Sequence, residues 1–399
     1  MSRKKLAALK EQANGLDDSP SKVAILEEAI RIADSLGDIP EGLKLRDQLI
    51  LCAYGAGQEE KAFVAFAWTV AHKGDVQDFM EEFMLLFQYK MLLGVAPDFP
   101  SLALTTIRKM QEDFKRRLTT GAYPLRAYFR VMSTNARDLG LLDEQARFAK
   151  LWKESPADSM FACDSCECWY YVDDSLSNGN RAAATSKARP IFSGKLTSCN
   201  VPTRTYAIFL QNSLVRGDLK GAKKFFDLGF PLAAGDEDCL WSIRYYLAYL
   251  IRTGDIARGL RVIERHLPMV TRRTNSWTRM KYFSLAADFF ERTDEIRPRT
   301  RKVRLPEALS IHEKTGRYSP NDLKIWFRNE ATQLAQAFDK RNGNDYVSWE
   351  LGRDRALGLG LPTPKYPESR DSIDDKTVKK GVQTKPSRAL RKKKAGKLP

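Results

Sequence analysis

The chain has 399 residues with 43% hydrophobic and 29% charged content, enough apolar material for a sizeable core in a soluble globular protein. No run approaches the ~18–20 apolar residues of a membrane helix, so the composition predicts no membrane partner. The net charge is +16, and ten of the Lys and Arg residues fall in 376–399, "KTVKKGVQTKPSRALRKKKAGKLP", which has no acid.

In chain order, "MSRKKLAALKEQANGLDD" lacks the uninterrupted apolar middle of a secretory signal and reads as a short helix entry. Only six cysteines are present, too few for a disulfide framework in a chain this long; with the missing signal they predict a cytoplasmic protein. Apolar residues near a 3.6-residue period recur in "AILEEAIRIADSL", "RYYLAYLI" and "ATQLAQAFDK", predicting amphipathic helices. Sustained period-two alternation is missing, so no substantial sheet is expected.

An internal repeat organises these helices. "SLVRGDLKGAKKFF" (213–226) and "YLIRTGDIARGLRVI" (249–263) share an apolar run, a Gly-Asp step and a helix with small inner residues. The glycines Gly57, Gly94, Gly140, Gly179, Gly217 and Gly254 mark the turns at spacings of 37, 46, 39, 38 and 37 residues, and Gly37 marks an earlier one. Each glycine is expected to end a helix in the left-handed conformation while the next polar residue caps its successor. One such helix pair cannot bury its own apolar face, so neighbours must stack. The fold class is therefore all-α: a right-handed α-solenoid over residues 1–360, then a disordered Lys/Arg-rich tail over 361–399.

Spacing and small-residue pattern are similar to tetratricopeptide-like repeats, although the units are longer and most Trp-Leu-Gly-Tyr and Pro landmarks are missing. The chain resembles a group of uncharacterised bacterial tetratricopeptide-like proteins through "EEAIRIADSLGD", "CDSC", "PIFSGKLTSCNVPTRTYAIFL", "RTGDIARGLRVIERHLP" and "FDKRNGND". The resemblance implies a fold and almost nothing about activity.

The stretch "MFACDSCECWYY" places Cys163, Cys166 and Cys168 within six positions, and Cys199 follows in "KLTSCNVP". Cys163 and Cys166 are one helical turn apart and share a face. In stacked helix pairs Cys199 would reach them, so three thiols can converge. A structural zinc takes four thiolate or imidazole donors. The resembling group implies a histidine after Pro202, where this chain has Thr203. Cys168 is the substitute, pointing ~200° round the helix from Cys166. The simpler reading is buried thiols packing as small apolar residues, with no cofactor. A redox pair is disfavoured because the motif opens a repeat helix and does not follow a strand. Cys52 and Cys239 read as core.

Catalytic signatures are missing, and the three histidines, His72, His266 and His312, read as exposed or capping residues, so no enzyme activity is expected. Aromatic and basic residues interleave at successive helix starts: Trp241, Arg244, Tyr245, Trp277, Arg279, Tyr282, Trp326 and Arg328. Most large rings should pack between helices, and the remainder could line a concave groove for a protein or peptide partner. The leading reading is an interaction scaffold. One alternative is nucleic-acid association through Arg297, Arg299, Arg301, Lys302 and Arg304 with tail residues such as Lys392, Lys393 and Lys394. The other is a zinc-containing sensor or enzyme at the cysteine cluster.

Overall fold

The computed structural model describes residues 3–72, 79–156, 162–198 and 200–365. The tail calls, including Lys392, Lys393 and Lys394, and the Cys199 assignment lie outside these residues.

Seventeen α-helices are present among the described residues. The first eight are α1 (Arg3–Asn14), α2 (Pro20–Ser35), α3 (Ile39–Gly55), α4 (Glu59–His72), α5 (Phe79–Val95), α6 (Leu104–Thr120), α7 (Arg126–Asp138) and α8 (Leu142–Glu154). Then come α9 (Asp164–Ser177), α10 (Arg181–Phe192), α11 (Val201–Val215), α12 (Leu219–Ala233), α13 (Leu240–Thr253), α14 (Ile256–Arg272) and α15 (Ser276–Ile296). After a two-residue antiparallel ladder, β1 (Arg301–Lys302) with β2 (Arg317–Tyr318), the described chain finishes in α16 (Pro320–Asn342) and α17 (Tyr346–Leu359).

The turn chemistry read from the sequence recurs in the structure. Gly217 and Gly254 have φ of 69° and 70°, and the aspartates that follow cap the next helices: Asp218 accepts from the Gly221 N–H at 2.8 Å and Asp255 from Arg258 at 3.1 Å. Gly57, Gly140 and Gly179 share the left-handed backbone, whereas Gly94 lies inside α5 and the chain turns just beyond it through a 3₁₀ segment, Ala96–Asp98. Gly259 serves packing: a Cβ there would sit 2.5 Å from the Phe289 ring, so α14 approaches α15 at that point.

Consecutive helices pack on one another, most extensively α3 with α4, α7 with α8, α11 with α12 and α15 with α16. Odd-numbered helices also contact each other, α9 with α11, α11 with α13 and α13 with both α15 and α17. Between these rows lie buried rings, among them Trp152, Tyr246, Phe289 and Phe290, each worth about 1.5–3 kcal/mol against exposure.

The C-terminal half is stitched onto the N-terminal half. The Thr274 N–H donates to the Gly57 carbonyl at 3.0 Å, and Asn275 Nδ2 donates to Asp98 Oδ2 at 2.8 Å. Arg341, at the end of α16, donates to the carbonyls of Pro97 and Phe99 at 2.8 and 2.9 Å. Asn344 donates to Leu139 at 2.9 Å.

Candidate functional site

Charged side chains that face inward from the odd-numbered helices fall into two groups. In the first, cations and carboxylates are matched. Lys281, 3% exposed on α15, donates to Glu350 Oε2 at 2.7 Å and Asp354 Oδ2 at 2.9 Å on α17. Arg353 reaches the same two carboxylates, each at 3.0 Å. Burial alone would raise the Asp354 carboxyl, but Lys281, Arg353 and Arg244 outweigh it and hold the group well below the usual range. Arg126 is likewise spent: it grips Glu167 at 3.0 and 3.2 Å and donates to the Trp152 and Ser155 carbonyls.

The second group is built from arginines stacked on aromatic rings. The Arg130 guanidinium (α7) lies 4.1 Å from the Tyr170 ring centre and 5.4 Å from that of Trp152. Arg204 (α11) lies 4.0 Å from Trp169 and 5.1 Å from Trp241, and Arg244 (α13) lies 5.0 Å from that same indole and 4.5 Å from Tyr245. The rings themselves touch, Trp169 edge-on to Tyr170 at 5.5 Å and to Trp241 at 5.9 Å. A continuous ladder of rings and guanidinium groups thus runs across α7, α8, α9, α11 and α13.

None of these three arginines forms an ion pair among the described residues, and the Nε of each is buried without a hydrogen-bond partner. Among the described residues Arg244 donates to the Tyr245 hydroxyl. Burial pushes the Arg130 pKa down. Asp173 and Asp138 oppose that shift. Near Arg244, burial pushes Asp98 up to about 8 against the Asn275 hydrogen bond. Burial works to lower the Arg244 pKa, but Tyr245, Asp354 and Glu350 outweigh it and raise it. Tyr54, on α3, faces the same interior; burial and then the charges of Glu59 and Asp98 push its phenol up to about 12, with Arg204 opposing. A cavity of about 20 Å³, room for one water, lies where the two groups meet, lined by Arg244, Tyr245, Lys281 and Asp354.

Of the eight aromatic and basic residues expected to line a groove, the structure brings Trp241, Arg244 and Tyr245 into this ladder. Tyr282 is core: it is 2% exposed, and its hydroxyl donates to the Val262 carbonyl at 3.1 Å. Trp277 packs edge-on to Phe338, Arg279 donates to the Arg273 carbonyl, Trp326 packs against Phe327, and Arg328 pairs with buried Asp288. Sequence reasoning missed Arg130 and Arg204. An available signal was the recurrence of an arginine near the start of an odd helix whose neighbour carries Trp or Tyr.

The basic segment is divided. Arg297, Arg299 and Lys302 are exposed and Arg301 is half-buried, while Arg304 is held by Glu264 at 3.1 Å. His266 departs from the expected exposed or capping role: it is fully buried, accepting at Nε2 from the Gly235 N–H at 3.3 Å and bonding Val262 through Nδ1 at 2.8 Å.

Cys163 stands at the N-cap position of α9 without a side-chain capping bond and is exposed, with its sulfur 3.3 Å from Ser198 Oγ, while Cys166 and Cys168 are half-buried. Burial opposes ionisation of the Cys163 thiol, but the neighbouring Ser198 and Cys166 outweigh it and lower its pKa. Among the described residues no group of three or more His, Cys, Asp or Glu side chains is placed to hold a metal. No described helix is long and apolar enough to cross a membrane.

No family model matches the chain. No curated protein matches it either.

Proposed function

We propose that this chain is a helical-repeat scaffold of tetratricopeptide-like arrangement that binds an acidic segment of a partner protein along its inner ladder. Two-level packing supports the repeat reading: α5, α9, α11, α13 and α15 each pair with their successor and also with the next odd helix. The observation that carries the binding reading is the set of Arg130, Arg204 and Arg244, each stacked on Trp or Tyr and none ion-paired among the described residues. These arginines are half-buried, and the Nε of each is buried without an acceptor, which carries a cost; an incoming carboxylate supplies the missing acceptor. Stacking pre-orients the planar fork, which lowers the entropy lost on binding.

Titration of the full chain with an oligo-glutamate peptide, followed by tryptophan fluorescence, tests this. Saturable binding that Arg204→Ala weakens tenfold or more supports the reading. No binding, or binding indifferent to Arg204→Ala, overturns it. A single-stranded oligonucleotide that binds while the peptide does not would favour nucleic-acid association, which exposed Arg297, Arg299 and Lys302 could assist.

A further inference from the structure

We propose that Cys163 and Cys166 form a reversible disulfide, so that the start of α9 is a redox-sensitive modification site reacting with small-molecule disulfides. The inference is independent of what the arginine ladder binds.

Three features of the pair carry it. Cys163 occupies the cap position in extended backbone (φ −77°, ψ 159°), and Cys166 follows one turn later on the same face. Two cysteines with two residues between them at a helix start are the arrangement in which a short-range bridge closes, and it requires their Cα atoms to come within about 4.4–6.8 Å. The Cys163 sulfur sits at the start of α9, 3.3 Å from Ser198 Oγ, a helix-start setting that favours the thiolate. The two also differ in access. Cys163 is exposed, whereas Cys166 is half-buried against the cluster containing Trp169 and Val172. One sulfur can therefore be reached from solvent while the other waits behind it.

The remaining described thiols stand apart. Cys168 is turned away, its sulfur 3.1 Å from the Lys187 carbonyl, and Cys52 and Cys239 are buried in other clusters. The sequence-level objection, that no strand precedes the motif, concerns the usual fold of such pairs; exchange itself requires only an accessible thiolate at a helix start with a second thiol in reach.

The chemistry balances with glutathione disulfide as oxidant. The Cys163 thiolate attacks one sulfur of glutathione disulfide, forming a mixed disulfide and expelling one glutathione thiolate. The Cys166 thiolate then attacks the Cys163 sulfur, closing the Cys163–Cys166 bond and expelling the second. The protein dithiol is oxidised by two electrons, one glutathione disulfide is reduced, and the two thiol protons end on the two glutathiones.

The test equilibrates the full chain in glutathione buffers from reducing to oxidising, alkylates the remaining thiols, digests, and weighs the peptides. In oxidising buffer the peptide spanning both residues should lack two hydrogens and carry a single alkyl group, on Cys168, and dithiothreitol should open both bridge thiols to alkylation. Cys166→Ser should trap glutathione on Cys163, Cys163→Ser should slow glutathione incorporation at least tenfold, and Cys168→Ser should leave bridge formation unchanged. Full alkylation of both residues in oxidising buffer overturns the proposal. So does a bridge from either one to Cys168 or Cys199, or stoichiometric zinc that keeps both thiols unreactive.

Discussion

The α15–α17 cluster and the arginine ladder both gather cations inside the molecule, and they differ in what answers the charge. Lys281 and Arg353 meet two carboxylates at 2.7–3.0 Å. Arg130, Arg204 and Arg244 meet aromatic faces. A ring face offers a cation about 0.5–2 kcal/mol and leaves its hydrogen-bond donors unfilled. The first arrangement is complete as it stands and serves the fold; the second is chemically open. Cationic content alone would not separate them, whereas the census of acceptors does.

The sharpest way to break this contrast is Lys281→Met. It leaves Glu350 and Asp354 with Arg353 as their nearest cation in a buried setting, and the expected loss is about 3–5 kcal/mol in urea unfolding. A variant as stable as the parent would make the cluster dispensable. Next in size, Arg204→Ala with Arg244→Ala should change stability by about 1 kcal/mol while weakening acidic-peptide binding about thirtyfold, roughly 2 kcal/mol. Equal losses in unfolding and binding would put both groups in the structural class.

The pH dependences should run in opposite directions. Asp354 has a lowered pKa in the folded chain, so its contribution is present above the unfolded value of about 4 and is lost on acidification. Asp98 is raised, to about 8, so its contribution is complete below about pH 4 and fades as pH rises through 8. Asp98→Asn should therefore be more stable than the parent at pH 9 by about 1–2 kcal/mol, and should show no advantage at pH 4, by thermal melts at each pH. The smallest effect belongs to Arg304→Ala: its pair with Glu264 is exposed on the arginine side, and unfolding should shift by about 0.5 kcal/mol or less.

Local structure was legible in the sequence because its causes are local. Gly217 with Asp218 and Gly254 with Asp255 specify a stop and a start within two residues, and both capping bonds form. Gly94 looked the same, yet α5 continues through it and the turn is made by Ala96–Asp98. The ladder was only partly legible. Trp241, Arg244 and Tyr245 are neighbours in sequence, but Arg130 and Arg204 join them through packing across tens of residues. Tyr282 carries the same letters as a groove residue, and only the position of Val262 shows it to be core. Lys281 gave no hint of its carboxylates, which lie about seventy residues further on.

The bonds from Arg341 to the carbonyls of Pro97 and Phe99, with those from Thr274 and Asn275, have a consequence for how the molecule comes apart. In an ordinary linear array, units can peel off an end one at a time and shortened versions lose stability in graded steps. Here early and late units hold each other, so removing either set strands polar groups in the other. Denaturation should be a single cooperative event, and chains shortened from the front should collapse abruptly.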